Sequence, residues 1–265
     1  SVKYRTLERG YGYVRISQFR ERSGEEFVNA LRALHAQNGG ALKGLVLDLR
    51  YNPGGLLDQA IIVANRFIGE NIRDGLIVYT KGRGSGAKRE YLASIGEKEP
   101  HYPLVVLING ASASASEIVA GALQDQGRGI IMGTQSFGKG SIQSILPLAG
   151  GAGLKLTTAR YYTPKGRSIQ ATGITPDIQV DQVDLSAAGN KKPSELHEKD
   201  LDHHLPTAEE NDRRSREEPR PPAGPDEETA KDYQLVRALG LVRGLVDMQG
   251  IHTHTNAEAR GPLSP

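Results

Sequence analysis

Three short apolar runs set the architecture open to this chain. They are Gly44-Leu-Val-Leu-Asp-Leu49, Leu104-Val-Val-Leu-Ile108 and Gly129-Ile-Ile-Met132. Each is too short for a buried helix and almost free of polar side chains, the pattern of strands covered on both faces. Apolar residues recur at helical spacing after the first run, at Leu56, Ala60, Val63, Ala64 and Phe67. The second run leads into a helical stretch from Ala115 to Gln126. Strands alternating with helices predict an α/β domain around a largely parallel sheet.

Further elements extend this core. Gly12-Tyr-Val-Arg-Ile-Ser17 alternates as a strand does. Ser23-Gly-Glu-Glu26 has capping-box spacing and opens a helix to about Gln37, stopped by Gly39-Gly40. Leu76 to Thr80 reads as a strand, followed by a Gly/Lys/Arg-rich loop to about Pro103. Ser141 to Leu146, Leu154 to Ala159 and Ser168 to Gln170 read as later strands. The domain therefore covers residues 1–180. From 181 to 228 charge and proline dominate, with too few apolar side chains to offset the cost of ordering, so a disordered, solvated linker is expected. Leu235, Leu239, Val242 and Val246 mark a helix over 229–250, and 251–265 reads as a frayed tail. That stripe fits docking on the core or a contact in a homo-oligomer.

Bulk composition narrows the function. With 33 basic and 31 acidic residues the net charge is only +2, which gives no electrostatic case for a nucleic-acid partner. No cysteine is present, so disulfides and thiolate metal sites are excluded, and the chain suits an oxidising compartment. No apolar run approaches the ~20 residues that span a bilayer. The first residue is Ser1, not methionine, so a mature or trimmed piece is expected, with any targeting or membrane-anchoring segment outside it. His252-Thr-His254 stands alone in the tail, and no His-x-x-x-His or cysteine set supports a metal centre or other cofactor.

Two loops carry candidate chemistry. Asn109-Gly-Ala-Ser-Ala-Ser-Ala-Ser116 places Ser112, Ser114 and Ser116 between a strand and a helix. Small residues there would let helix and sheet pack closely. A serine there would also have helix N-terminal amides at hand for an oxyanion. Serine needs an adjacent base to act as a nucleophile, and lysine can be that base where an apolar site disfavours its charged form. Gly133-Thr-Gln-Ser-Phe-Gly-Lys139 matches most of a P-loop. However, Gly140 occupies the place of the magnesium-binding Ser or Thr, and a strand pattern follows, so no nucleotide is expected. Arg50-Tyr-Asn-Pro-Gly-Gly55 is a turn whose glycines can expose backbone N–H groups to a carbonyl.

Taken together, Ser112-Ala-Ser-Ala-Ser-Glu-Ile, Gly121-Ala-Leu-Gln-Asp125, Phe137-Gly-Lys-Gly-Ser-Ile-Gln143, Leu154-Lys-Leu-Thr-Thr-Ala-Arg-Tyr-Tyr-Thr-Pro164 and Gly173-Ile-Thr-Pro-Asp177 resemble the carboxy-terminal processing, or tail-specific, proteases of peptidase family S41. The resemblance runs from about Gly10 to Val180. It implies a core like those of crotonase and Clp protease, built of stacked ββα units, here with a C-terminal helix. It implies Ser114 as nucleophile, Lys139 as general base and Gln143 as the residue orienting the lysine. The oxyanion hole would be the N–H of Ala115 with that of Gly54 or Gly55. Glu117, Asp125 and Ser136 would support the site. The implied activity is an extracytoplasmic, periplasmic serine endopeptidase that needs no cofactor. Its partners would be proteins or peptides with accessible C-termini. A silent peptide-binding or scaffolding relative is the alternative. Family members usually carry a PDZ domain, and none fits in this chain, which begins where that domain would end.

Overall fold

The computed structural model describes residues 1–69, 75–82, 88–148, 152–182 and 232–258. Two sheets form. The larger runs β1 (Val2–Glu8), β2 (Tyr11–Ile16), β3 (Gly44–Asp48), β6 (Leu104–Ile108), β7 (Ile130–Gly133) and β10 (Ile178–Gln179), in that spatial order. Only β1 is antiparallel to its neighbour; the rest are parallel. The smaller, antiparallel sheet has the order β5 (Lys88–Leu92), β4 (Leu76–Gly82), β9 (Gly153–Tyr162) and β8 (Ser141–Pro147).

The apolar runs are buried on both faces because helices cover both. Leu45, Leu47, Leu104, Val106, Ile108 and Ile131 pack with α1 (Ser23–Gln37), α2 (Leu57–Asn65) and α3 (Ala115–Asp125). The alternate residues Val46, Val105, Leu107 and Met132 pack with Leu235, Ala238 and Val242 of α4 (Tyr233–Glu258). The period-2 alternation of a strand thus serves two separate cores. Gly44 permits the close approach of α4: a Cβ there would lie 2.2 Å from Val242 Cγ1.

Several sequence expectations change here. The α4 stripe covers this chain's own sheet. The helix runs to Glu258 and does not end near 250, because Gly250 alone costs only about 1 kcal/mol and no proline intervenes. Ser168–Gln170 is not a strand; Ser168 makes one isolated bridge to Tyr162. β1, β5 and β10 were not expected. The expected linker, apart from Asp181 and Gln182, lies outside the described residues. No described helix is long and apolar enough to cross a membrane.

Candidate active site

Strand β6 ends at Ile108, and the chain turns through Asn109–Ala113 into α3, with Ser114 at the helix N-cap. Ser114 has φ 54 and ψ −112, a conformation that L residues rarely adopt. Such geometry costs on the order of 1–3 kcal/mol and persists only when its surroundings fix it.

The surroundings do so through the flanking serines. Ser112 Oγ donates to Leu49 O at 2.8 Å and accepts from Asn109 N–H at 2.9 Å. Ser116 Oγ donates to Asn52 O at 2.9 Å, which also accepts from Ala113 N–H at 3.0 Å. Both hydroxyls therefore tie the serine turn to the loop after β3. Ser114 Oγ faces Glu117 N–H in a capping box, and its own proton has no acceptor among the described residues. Three serines in one motif thus separate into two that donate to the scaffold and one whose hydroxyl proton has no acceptor among the described residues.

Glu117 joins this turn to the loop that carries Lys139. Its Oε2 accepts from Ser114 N–H at 2.7 Å and Lys139 N–H at 2.9 Å. Its Oε1 accepts from Ser136 Oγ at 2.6 Å and Gly138 N–H at 2.7 Å. Ser136 Oγ in turn accepts from Ile174 N–H at 2.6 Å. Burial of the carboxyl pushes it up to about 7, against the pull of those four donors. One side chain therefore fixes both loops from which the chemistry is expected.

The loop from Arg50 to Gly55 completes the wall. Asn52 is buried, with Nδ2 donating to Ile16 O at 2.8 Å and Oδ1 accepting from Gly54 N–H at 2.9 Å. Gly54 lies against the serine turn: a Cβ on it would sit 2.7 Å from Ala113 O, 2.8 Å from Ser114 Cβ and 2.9 Å from Ala115 N. Since Gly54 N–H is engaged by Asn52, Gly55 and Ala115 hold the backbone N–H groups that lack an acceptor among the described residues. A cleft of about 440 Å3 opens beside them, lined by Tyr51, Pro53, Asn109, Ala113, Phe137 and Lys139 among others.

Not every predicted residue is brought in. Lys139 lines the cleft half-buried, but its amine makes no hydrogen bond or ion pair among the described residues, to Ser114 Oγ included. Gln143 is exposed on β8, and its side chain makes no hydrogen bond among the described residues, so it does not orient Lys139 here. Asp125 sits at the other end of α3, about 16 Å along the helix from Ser114 at 1.5 Å per residue. It accepts from Lys165 N–H at 2.8 Å and from the Arg167 guanidinium, and so anchors the turn after β9. Among the described residues no group of acidic or histidine side chains could hold a metal ion. The loop from Gly133 to Lys139 leads into strand β8 and lacks the helix N-terminus that a P-loop uses for phosphate. Sequence reasoning missed Asn52, Ser112 and Ser116 as scaffold; their partners lie about 60 residues away.

A serine held in a strained turn at a helix start, beside unpaired amides, is the layout of nucleophilic serine centres in α/β folds. Residues 10–180 match the model of peptidase family S41. A carboxy-terminal-processing protease of Bartonella bacilliformis is 46% identical over 245 residues, covering 92% of this chain and 54% of the relative. A carboxyl-terminal-processing protease of Synechocystis is 43% identical, covering 70% and 41%. The solved structure of the photosystem II D1 C-terminal processing protease superposes with TM-score 0.59 at 37% identity, over 68% of this chain and 48% of that one. A Streptococcus agalactiae lipoprotein shares the fold at 21% identity and TM-score 0.54, over 68% of this chain and 65% of that one. The chain belongs to peptidase family S41. It spans about half the length of the curated relatives it matches.

Proposed function

We propose that this protein is a serine endopeptidase acting on proteins or peptides near accessible C-termini, with Ser114 as nucleophile and Lys139 as general base. The observation that carries the reading is the half-buried hydroxyl of Ser114, whose proton has no acceptor among the described residues, on a strained turn whose neighbouring serines both donate to scaffold carbonyls. Ser114 Oγ attacks the scissile carbonyl carbon and its proton passes to the Lys139 amine. The oxyanion is held by Ala115 and Gly55 N–H. Lys139 returns the proton to the leaving amine, and water releases the acyl group by the reverse path. In the free protein the amine and hydroxyl are not bonded; substrate binding brings them together, as is common for catalytic hydrogen bonds. Gln143 meets the amine in that bound state. The chemistry requires no metal or organic cofactor. The names of the relatives support the C-terminal preference, and a sequence without cysteine suits a periplasmic setting.

The test is covalent labelling with a fluorophosphonate, alongside hydrolysis of an unfolded protein with fragments mapped by mass spectrometry. Label should fall on the peptide bearing Ser114 and vanish in Ser114→Ala and Lys139→Ala, together with hydrolysis. Label on Ser112 or Ser116 would reassign the nucleophile. No label and no fragments would favour a silent peptide-binding relative.

A further inference from the structure

Arg50 is almost wholly buried, and all five of its N–H donors are taken. Nε and one Nη2 proton go to Asp48, at 2.9 and 2.6 Å. Nη1 and Nη2 each give one proton to Asp232, both at 2.7 Å. The last Nη1 proton goes to Gln234 Oε1 at 3.0 Å. Three of the five acceptors therefore come from the start of α4, more than 180 residues away in sequence. Asp48 is itself filled, accepting Tyr13 Oη–H at 2.7 Å and Arg50 N–H at 2.9 Å. Burial alone would raise the Asp232 carboxyl; its bonds to Arg50 outweigh that and hold it below the ordinary carboxylate value.

Arg50 opens the segment that forms the wall of the cleft. Tyr51 follows with φ 59, its N–H held by Asn109 Oδ1 at 2.9 Å and its hydroxyl by Gln182 Oε1. A left-handed, non-glycine residue stays in place only when neighbours over-determine it. Asn52, Gly54 and Gly55 come next, and Gly54 rests on Ser114. The cleft side of this strap is held by Asn109 and the serine turn. Its other side is held at the Gly54–Gly55 end by Phe19, whose N–H donates to Gly54 O at 2.9 Å, and at the Arg50 end by the arginine side chain, and so by α4.

We infer that Asp232 is a positioning residue: by pairing with Arg50 it holds the Arg50–Gly55 strap, and with it Gly55 N–H and the Tyr51 wall, in register with Ser114. The site is therefore incomplete without the start of α4. This rests on the serine-peptidase reading above. Anchoring of the helix itself is a separate matter, supplied by Leu235, Ala238 and Val242.

That separation gives the test. Asp232→Asn keeps shape but sets an amide against the guanidinium, stranding buried charged donors. Val242→Ala loosens α4 without touching Arg50. On a reporter peptide, Asp232→Asn should lower kcat about 10- to 100-fold with KM nearly unchanged, the range expected for a misplacement on the order of 1 Å. The fluorophosphonate labelling rate at Ser114 should fall in parallel. Asp232→Glu should recover much of the loss. Val242→Ala should lower the melting temperature at least as far as Asp232→Asn while keeping kcat. Unchanged kcat in Asp232→Asn, or an equal kcat loss in Val242→Ala, would overturn the inference. Hydrolysis surviving in Ser114→Ala would instead sink the serine reading on which it stands.

Discussion

Replacing Glu117 by glutamine should abolish most activity yet leave stability at pH 8 nearly unchanged. The carboxylate faces four donors, so an amide must turn its NH2 toward some of them. With nitrogen in the Oε2 place, Ser114 and Lys139 N–H are both stranded. With nitrogen in the Oε1 place, the Ser136 hydroxyl must turn its proton away from residue 117 and accept from the amide as well as from Ile174 N–H, and Gly138 N–H is left bare. The second arrangement is cheaper and costs about 1–3 kcal/mol for one buried, unpaired N–H. Against this stands the charge. Burial raises the carboxyl from 4.5 to about 7, so between those values the folded protein holds a proton that the unfolded chain has released. Stability of the natural protein must then fall as pH rises through that window. At about 1.4 kcal/mol per tenfold change, the full fall is roughly 3 kcal/mol. Glutamine carries no such penalty. Near pH 4.5 the variant should be less stable by about 1–3 kcal/mol, and by pH 8 the deficit should close or reverse. Activity should not recover, because the bare Gly138 N–H adjoins Lys139; a fall in kcat of about 100-fold is expected. Urea titrations at pH 5, 6, 7 and 8, with hydrolysis measured at pH 8, test both halves. Parallel stability curves for the two proteins, or kcat preserved in the variant, would refute the role assigned to Glu117.

Three other outcomes follow from the same geometry. Ser114→Gly should be inactive but more stable by about 1–3 kcal/mol in urea titrations, since glycine accepts the φ of 54 without strain. Gly54→Ala should lose activity and roughly 3 kcal/mol or more of stability, because its Cβ would press on Ala113, Ser114 and Ala115 at a φ of 98. Joining residue 184 to 230 through a short Gly/Ser linker should leave hydrolysis within about twofold, because Gln182 and Asp232 hold adjacent residues and Gln234 Nε2 donates to Val180 O at 2.6 Å. A large loss with an unchanged melting temperature would show that the removed segment touches substrate.

How much of this could be read from residues alone depends on the range of each interaction. The runs at 44–49, 104–108 and 129–132 identify the central strands because burial on both faces leaves them continuously apolar. β5 escapes because Lys88–Leu92 has an exposed, polar pattern, and its place is set by pairing with β4. β10 is two residues long and leaves no period to detect. Within the site, the serine turn and the lysine loop are local motifs and stand out in the sequence. Their scaffold does not: Asn52 to Ser116, Ser112 to Leu49 and Arg50 to Asp232 are contacts across the fold that leave no local trace. Glu117 is recognisable as supporting only through resemblance; its four donors come from turns that a sequence does not orient.

The dependence of Arg50 on Asp232 also has a meaning in time. A ribosome delivers Ser114, Lys139 and the strap early, and Asp232 about 50 residues after Gln182. At about 5–20 residues per second that interval is roughly 3–10 s. During it the emerging chain carries Ser114 and Lys139 but lacks three of the five acceptors for the arginine behind the strap. The Arg50–Gly55 strap therefore gains its full set of bonds only once the start of α4 has been made, and until then its register against Ser114 is set by Asn109, Phe19 and the serine turn alone.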